Sequence, residues 1–184
     1  MLRLFAFLLL ATVLLWAERA GPYVGIGAGL AGYDDDGRLA SVENRSQEAF
    51  RIYAGAYINE NFSVEVDYNA AMEFDGVLKN GGEVTEKFSF LSTAVVLHYP
   101  VANDTTDLFV KFGASEVFWR ERGGESHKDS AAAMLLGLGV GYRLKEYLTL
   151  NLGYDAYFFS MDISERDSYD MLLGAAYLKI EVQF

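Results

Sequence analysis

Beyond about residue 20 the chain alternates apolar and polar positions, and no stretch holds a helical period. A period of two sends successive side chains to opposite faces of a strand, so this pattern commits the chain to β-structure. Eight segments carry it: residues 23–32, 47–58, 62–74, 87–99, 108–119, 132–144, 147–160 and 171–184. In the first, Val24, Ile26, Ala28 and Leu30 share one face, and glycines dominate the other. In the third, Phe62, Val64, Val66 and Tyr68 oppose Ser63, Glu65, Asp67 and Asn69. The seventh sets Leu148, Leu150, Leu152 and Tyr154 against Thr149, Asn151, Gly153 and Asp155. The fourth is less regular, with Leu91, Val95, Leu97 and Tyr99 read as outward and His98 as inward. With 18 Gly, only 2 Pro and 15% aromatic residues, the composition suits sheet.

Two architectures alternate in this way: a soluble sandwich with its apolar face inward, and a membrane barrel with its apolar face outward. The polar face favours the barrel. It carries Arg51, Glu65, Asp67, Lys111, Arg143, Asp155, Lys179 and Glu181, four basic and four acidic. Such balance suits a closed lumen, where buried ions must be paired, better than a solvated face with scattered charges. Glycines on the same face leave room for these long side chains. Aromatic residues near segment ends, Tyr23, Phe62, Tyr99, Trp119, Tyr147, Phe158 and Phe184, predict interfacial girdles. Connections alternate too. Residues 58–61 and 144–147 are tight turns and 100–107 is a modest one, whereas 33–46, 75–86, 120–130 and 160–169 are longer and charged. Short turns on the periplasmic rim and long loops outside are the outer-membrane arrangement. The expectation is an all-β, eight-stranded antiparallel up-and-down transmembrane β-barrel over residues 18–184, with both termini at the periplasmic rim.

Residues 1–17 read as a cleaved signal peptide. Arg3 supplies the positive start, Leu4 to Trp16 the apolar run and Ala17 the small residue at the cut. The run is shorter than the ~20 residues of a spanning helix. A net charge of −11 argues against nucleic acid as a partner, and the lack of cysteine excludes disulfides and thiolate metal sites.

Catalytic chemistry finds little to work with. The two histidines are His98 and His127. His98 has Ser92 on its inferred face, but six residues along one strand is too far for contact at ~3.4 Å per residue, so it reads as a lumen or rim residue. His127 and Asp129 match an omptin-like Asp-His protease pair by motif only, and omptins have ten strands. Asp34-Asp35-Asp36-Gly37 is oxygen-rich, but Arg45 stands where a calcium loop needs its twelfth-position glutamate. It reads as a solvated loop, held at most to lipopolysaccharide through divalent cations. Gly25, Gly27 and Gly29 precede no helix and are a strand feature. No catalytic residue, cofactor or metal site is expected.

Several stretches resemble OmpA-type barrels. The run from Val96-Leu-His-Tyr-Pro to Phe118-Trp-Arg is similar to that family's fourth and fifth strands, and Ala54-Gly-Ala-Tyr-Ile-Asn-Glu-Asn-Phe to its second hairpin. Gly137-Leu-Gly-Val-Gly-Tyr-Arg-Leu with Leu148-Thr-Leu-Asn-Leu-Gly-Tyr resembles its sixth and seventh strands. The resemblance implies outer-membrane lipid and lipopolysaccharide as surroundings. It also implies a terminal signal for the barrel assembly machinery at Tyr177, Ile180, Val182 and Phe184. OmpA itself continues into a peptidoglycan-binding domain, and this chain is expected to lack that tether. The family's lumen gate joins a strand-three glutamate to basic neighbours. Glu65 matches the glutamate, but Val96 and Asn151 stand where the basic partners belong, leaving Lys111, Arg143 or Lys179 to serve. Lipid A deacylases share the architecture, yet their His-x-Ser pair is missing. The function expected is a structural or surface-interaction (adhesin-like) role, with a surface ligand at the long loops. A narrow pore and a lipid A-modifying enzyme are the alternatives. Eight strands enclose only enough space for their own side chains, so a plugged interior is expected.

Overall fold

The computed structural model describes residues 20–34, 39–42, 46–78, 81–101, 105–123, 127–164 and 167–184. The segment 1–17 therefore lies outside the described residues, as do Asp35, Asp36 and Gly37. Nine strands follow in chain order: β1 (Gly21–Asp34), β2 (Leu39–Val42), β3 (Gln47–Asn59), β4 (Phe62–Leu78), β5 (Glu83–Val101), β6 (Thr106–Arg122), β7 (His127–Lys145), β8 (Leu148–Ser164) and β9 (Asp167–Gln183). Eight of them are antiparallel staves in the circular order β1-β3-β4-β5-β6-β7-β8-β9, closed where β1 meets β9 from Tyr23↔Gln183 to Asp34↔Leu172. The chain thus folds as the closed eight-stranded barrel that its alternation predicts.

The ninth strand, β2, was not expected. It lies in the connection read as the loop 33–46 and pairs with the far end of β4 (Leu39↔Leu78, Val42↔Gly76). The other charged connections are also shorter than predicted. β4 continues to Leu78, β5 begins at Glu83, β6 reaches Arg122, β7 starts at His127, and β8 and β9 are separated only at 165–166. The physical reason is that alternation persists outside the apolar belt. Phe74, Val84 and Phe88 still point inward while Glu73, Asp75 and Lys87 point outward, so charges there mark solvated strand rather than loop.

The outward face is apolar along most staves. Val64, Val66, Val110, Phe112 and Ile180 are 40–50% exposed in the isolated molecule, as residues meant for lipid must be. Phe62, Tyr99, Tyr147, Phe158 and Phe184 lie on that outer face. Tyr23 and Trp119 do not. They are 2% and 4% exposed and point into the barrel. Their place in the alternation is the reason, since outward Val24 and Phe118 occupy the neighbouring positions.

Because the belt faces hydrocarbon, a charge placed within it is penalised by depth. Val110→Arg is expected to destabilise the barrel by roughly 2–4 kcal/mol. A urea titration of the refolded protein in lipid checks this, and an unchanged midpoint would take Val110 off the lipid face.

Candidate functional site

The lumen is built in tiers. Toward the rim opposite the termini, Phe74, Phe88, Phe90, Trp119, Leu135 and Phe159 head a buried apolar cluster. Tyr157 lies over Phe90 with ring centroids 4.4 Å apart. Toward the terminal rim a second cluster joins Tyr23, Tyr53 and Tyr57. Between them lies a layer of ions.

Cross-strand glycines create the space for these rings. Tyr23 is paired with Gly55 and Tyr53 with Gly25, and a Cβ at either glycine would collide with the opposite ring. The large side chain takes the volume its partner leaves empty.

Lys111 on β6 is the hub of the ionic layer. Its Nζ lies 2.7 Å from Glu65, 2.9 Å from Asp67 and 3.3 Å from Asp155, with 1% of its side chain exposed. Arg51 on β3 reaches Asp155 at 2.6 Å and Asp67 at 3.8 Å. Its Nε donates to Asn69 Oδ1 at 2.8 Å and its Nη2 to the Tyr157 hydroxyl at 3.0 Å. Lys179 on β9 meets Glu65 at 3.3 Å and lies 4.2 Å from the centre of the Tyr53 ring. Tyr177 donates to Asp155 Oδ1 at 3.0 Å, and the Arg51 guanidinium sits over its ring. Three cations and three carboxylates thus compensate one another out of water, the condition under which buried charge is tolerated.

Six of the eight lumen charges named from the sequence meet in this layer. Glu181 is buried nearer the terminal rim and accepts a hydrogen bond from the Tyr57 hydroxyl at 2.9 Å. Arg143 does not join the layer. It is half-buried beside the β7–β8 turn, too far along its stave to reach Glu65. Lys111 and Lys179 take the glutamate instead, with Val96 and Asn151 lining the lumen around them. Of the residues read as the terminal signal, Ile180, Val182 and Phe184 are on the outer face, whereas Tyr177 is buried in the lumen and bound to Asp155.

One arrangement escaped the sequence reading. His98 Nδ1 lies 2.7 Å from Asp107 Oδ2, and its Nε2 lies 2.9 Å from Ser63 Oγ. Three neighbouring staves are clamped by this chain, and its serine comes from the paired strand rather than from Ser92. Ser92 bonds to Ser115. A serine, histidine and aspartate in line resemble a nucleophile assembly. Here Ser63 is fully buried, and the space left between Tyr23, Tyr57, His98 and Phe109 is about 10 Å³, no more than one water needs. Asp34 and Asp129 are on the far rim, and the side chain of His127 lies outside the described residues.

With the barrel and its filled lumen in view, the comparisons with known proteins are decisive for class. Residues 4–177 match the outer membrane protein beta-barrel domain family. The chain belongs to that family. Its fold is shared by Neisserial surface protein A (TM-score 0.63, 18% identity, covering 89% of this chain and 97% of that one). It is shared too by Ail, the attachment invasion locus protein of Yersinia pestis, solved with the heparin analogue sucrose octasulfate (0.60, 15%, 90% and 99%). The outer membrane protein OprG of Pseudomonas aeruginosa is a third (0.64, 9%, 91% and 98%). No match was found among curated protein sequences. The family and these neighbours indicate an outer-membrane location.

The ionic layer is neutral only while complete. Lys111→Met leaves carboxylates buried without compensation and is expected to cost about 3–5 kcal/mol. The double variant Lys111→Met/Glu65→Gln restores the balance and should recover part of that loss. Denaturant titrations of the two variants and of Glu65→Gln form the cycle that checks this, and additive single effects would dissolve the coupling.

Proposed function

We propose that the protein is an integral outer-membrane barrel with a structural and surface-interaction (adhesin-like) role, exported by removal of residues 1–17 and presenting its far rim outside the cell. The filled lumen carries this reading. An apolar tier, an ionic tier and a tyrosine tier succeed one another along the axis, and side chains occupy the path a solute would take. Eight staves leave little else. What remains available for recognition is the rim where the strands stand above the apolar belt.

That rim is acidic. Among the described residues, Asp34, Glu48, Glu73, Asp75, Glu83, Asp129 and Asp170 are exposed there, against Arg122 and the half-buried Lys87 and Arg120. The structural neighbour Ail was solved with a sulfated, polyanionic ligand. The charge of this rim suits the opposite partner, a basic surface, and such binding weakens with salt.

Exchanging the exposed Asp34, Glu48, Glu73, Asp75, Glu83, Asp129 and Asp170 for their amides should abolish binding of intact cells to a basic protein surface. The barrel should still migrate faster on a gel before boiling than after. Surface proteolysis of intact cells clipping only the far rim fixes the orientation. Binding that persists after the exchange, or stepwise conductance in a planar bilayer, would overturn the reading.

A further inference from the structure

Basic residues gather on the outer face at a single level. The ladders set Glu73 on β4 opposite Lys87 on β5, Lys87 opposite Arg120 on β6, and Arg120 opposite Lys128 on β7. Three basic positions thus stand side by side on neighbouring staves, with the exposed Arg122 one stride higher on β6. Lys87 and Arg120 are directly opposed, and at the roughly 4.5–5.5 Å between such Cβ atoms like charges repel. A loop could relax that crowding, but backbone pairing fixes these positions. Lys87 has the Glu73 carboxylate on its other side. The half-buried Arg120 differs: neither its guanidinium nor that of Arg122 has a hydrogen-bond or ion-pair partner among the described residues.

The level of this row decides what it meets. One stride below Arg120 is Phe118, on the outer face and flanked in register by Ser89 and Ser130. Beneath them the outward residues of β5, β6 and β7 include Leu91, Val95, Phe112, Val110, Met134 and Leu138. The rise from Leu108 to Phe118 along β6, at ~3.4 Å per residue and a tilt of ~40°, is about 26 Å, close to the height of an outer-membrane apolar band. Arg120 therefore stands at the first polar level above the hydrocarbon. The exposed Glu116 is the nearest carboxylate below it on β6, about 14 Å away along the strand.

We propose that, with the far rim outside the cell as inferred above, this row binds a phosphate on the lipid A sugars of one lipopolysaccharide molecule. Arg120 supplies the recognition. Its planar guanidinium presents two parallel donors to one phosphate, and Lys87 adds a point charge from the neighbouring stave. The phosphate in turn relieves the repulsion between them. Depth selects the source of the anion. A lipid whose phosphate lies at Arg120 lays its acyl chains along the apolar residues below, a contact that free phosphate lacks. The acidic rim above repels a polyanion arriving from outside, whereas a membrane lipid reaches Arg120 from the membrane side. Glu73 and Asp75, exposed on β4, confine the anion to the β5–β7 stretch.

Native mass spectrometry of the intact barrel in detergent, titrated with bisphosphorylated lipid A in the presence of a chelator that removes bridging cations, tests the site. The wild type should bind one lipid A, and should bind it more tightly than dephosphorylated lipid A or phosphatidylglycerol. Arg120→Gln should lower the affinity by at least about tenfold, a change of ~1.4 kcal/mol. Lys87→Gln should lower it less, since Glu73 already shares that ammonium. Lys145→Gln removes the same charge at the terminal rim and should leave binding unchanged. Each variant is first shown to fold by its heat-dependent gel shift. Equal binding of dephosphorylated lipid or phosphatidylglycerol, displacement by inorganic phosphate, or an unchanged affinity in Arg120→Gln would overturn the assignment. Surface proteolysis reports the orientation separately, so a barrel that faces the other way is told apart from one that lacks the site.

Discussion

A backbone amide in hydrocarbon has no water to bond, so a membrane sheet must find its last partner in its first strand. Here that closure is the β1–β9 ladder, spanning Tyr23↔Gln183 to Asp34↔Leu172. Much else follows from it. Eight staves set the bore, the bore sets how many side chains fit, and alternation decides which ones enter. The same closure walls the interior off from water. Lys111 is therefore as buried as a core leucine, and its charge must be met within the lumen.

The order of the tiers has a physical logic. The ions occupy the middle, where Lys111 gathers carboxylates from β4 and β8 while Arg51 and Lys179 approach from β3 and β9. Side chains on five staves are thereby joined across the bore, so ionic pairing braces the cylinder from inside. Tyrosines border the layer because each carries an apolar body and a polar tip. Tyr157 shows both ends at once: its ring packs on Phe90, and its hydroxyl takes bonds from Arg51 and Asn69. Below the layer, His98 clamps β4, β5 and β6 with Ser63 and Asp107.

Most of the fold was legible because alternation is local. Val64 and Glu65 declare their faces from their own neighbours, and register carries that choice around the barrel. The lumen charges were legible as a set for the same reason. Their pairing was not, since it depends on the heights at which tilted staves meet. Arg143 and Lys111 share a face in the sequence, yet only Lys111 reaches Glu65. Ser63 and His98 lie 35 residues apart and meet across one hairpin. The misread boundaries have another cause. Charge at 75–86 and 120–130 suggests loop, but an outward position above the membrane is solvated whether the backbone is strand or turn. Tyr23 and Trp119 stand near strand ends, where girdle aromatics belong, yet parity is the stronger constraint and turns both into the barrel.

Carrying ladders past the membrane changes what the rim can do. β5 and β6 stay paired up to Thr85↔Arg122, and β6 and β7 up to Glu121↔His127. Side chains there are displayed on twisted sheet, with Lys87 held to Glu73 and Thr85 to Asp75 across neighbouring strands. A surface already ordered by backbone pairing loses less conformational freedom when it meets a partner than a free loop would. Its charges also keep fixed positions, so repulsion between like charges is part of the folded state rather than relieved by loop motion. An acidic rim of this kind holds a standing electrostatic demand for cations. The ionic layer below it, three cations against three carboxylates, is already compensated and does nothing to satisfy that demand.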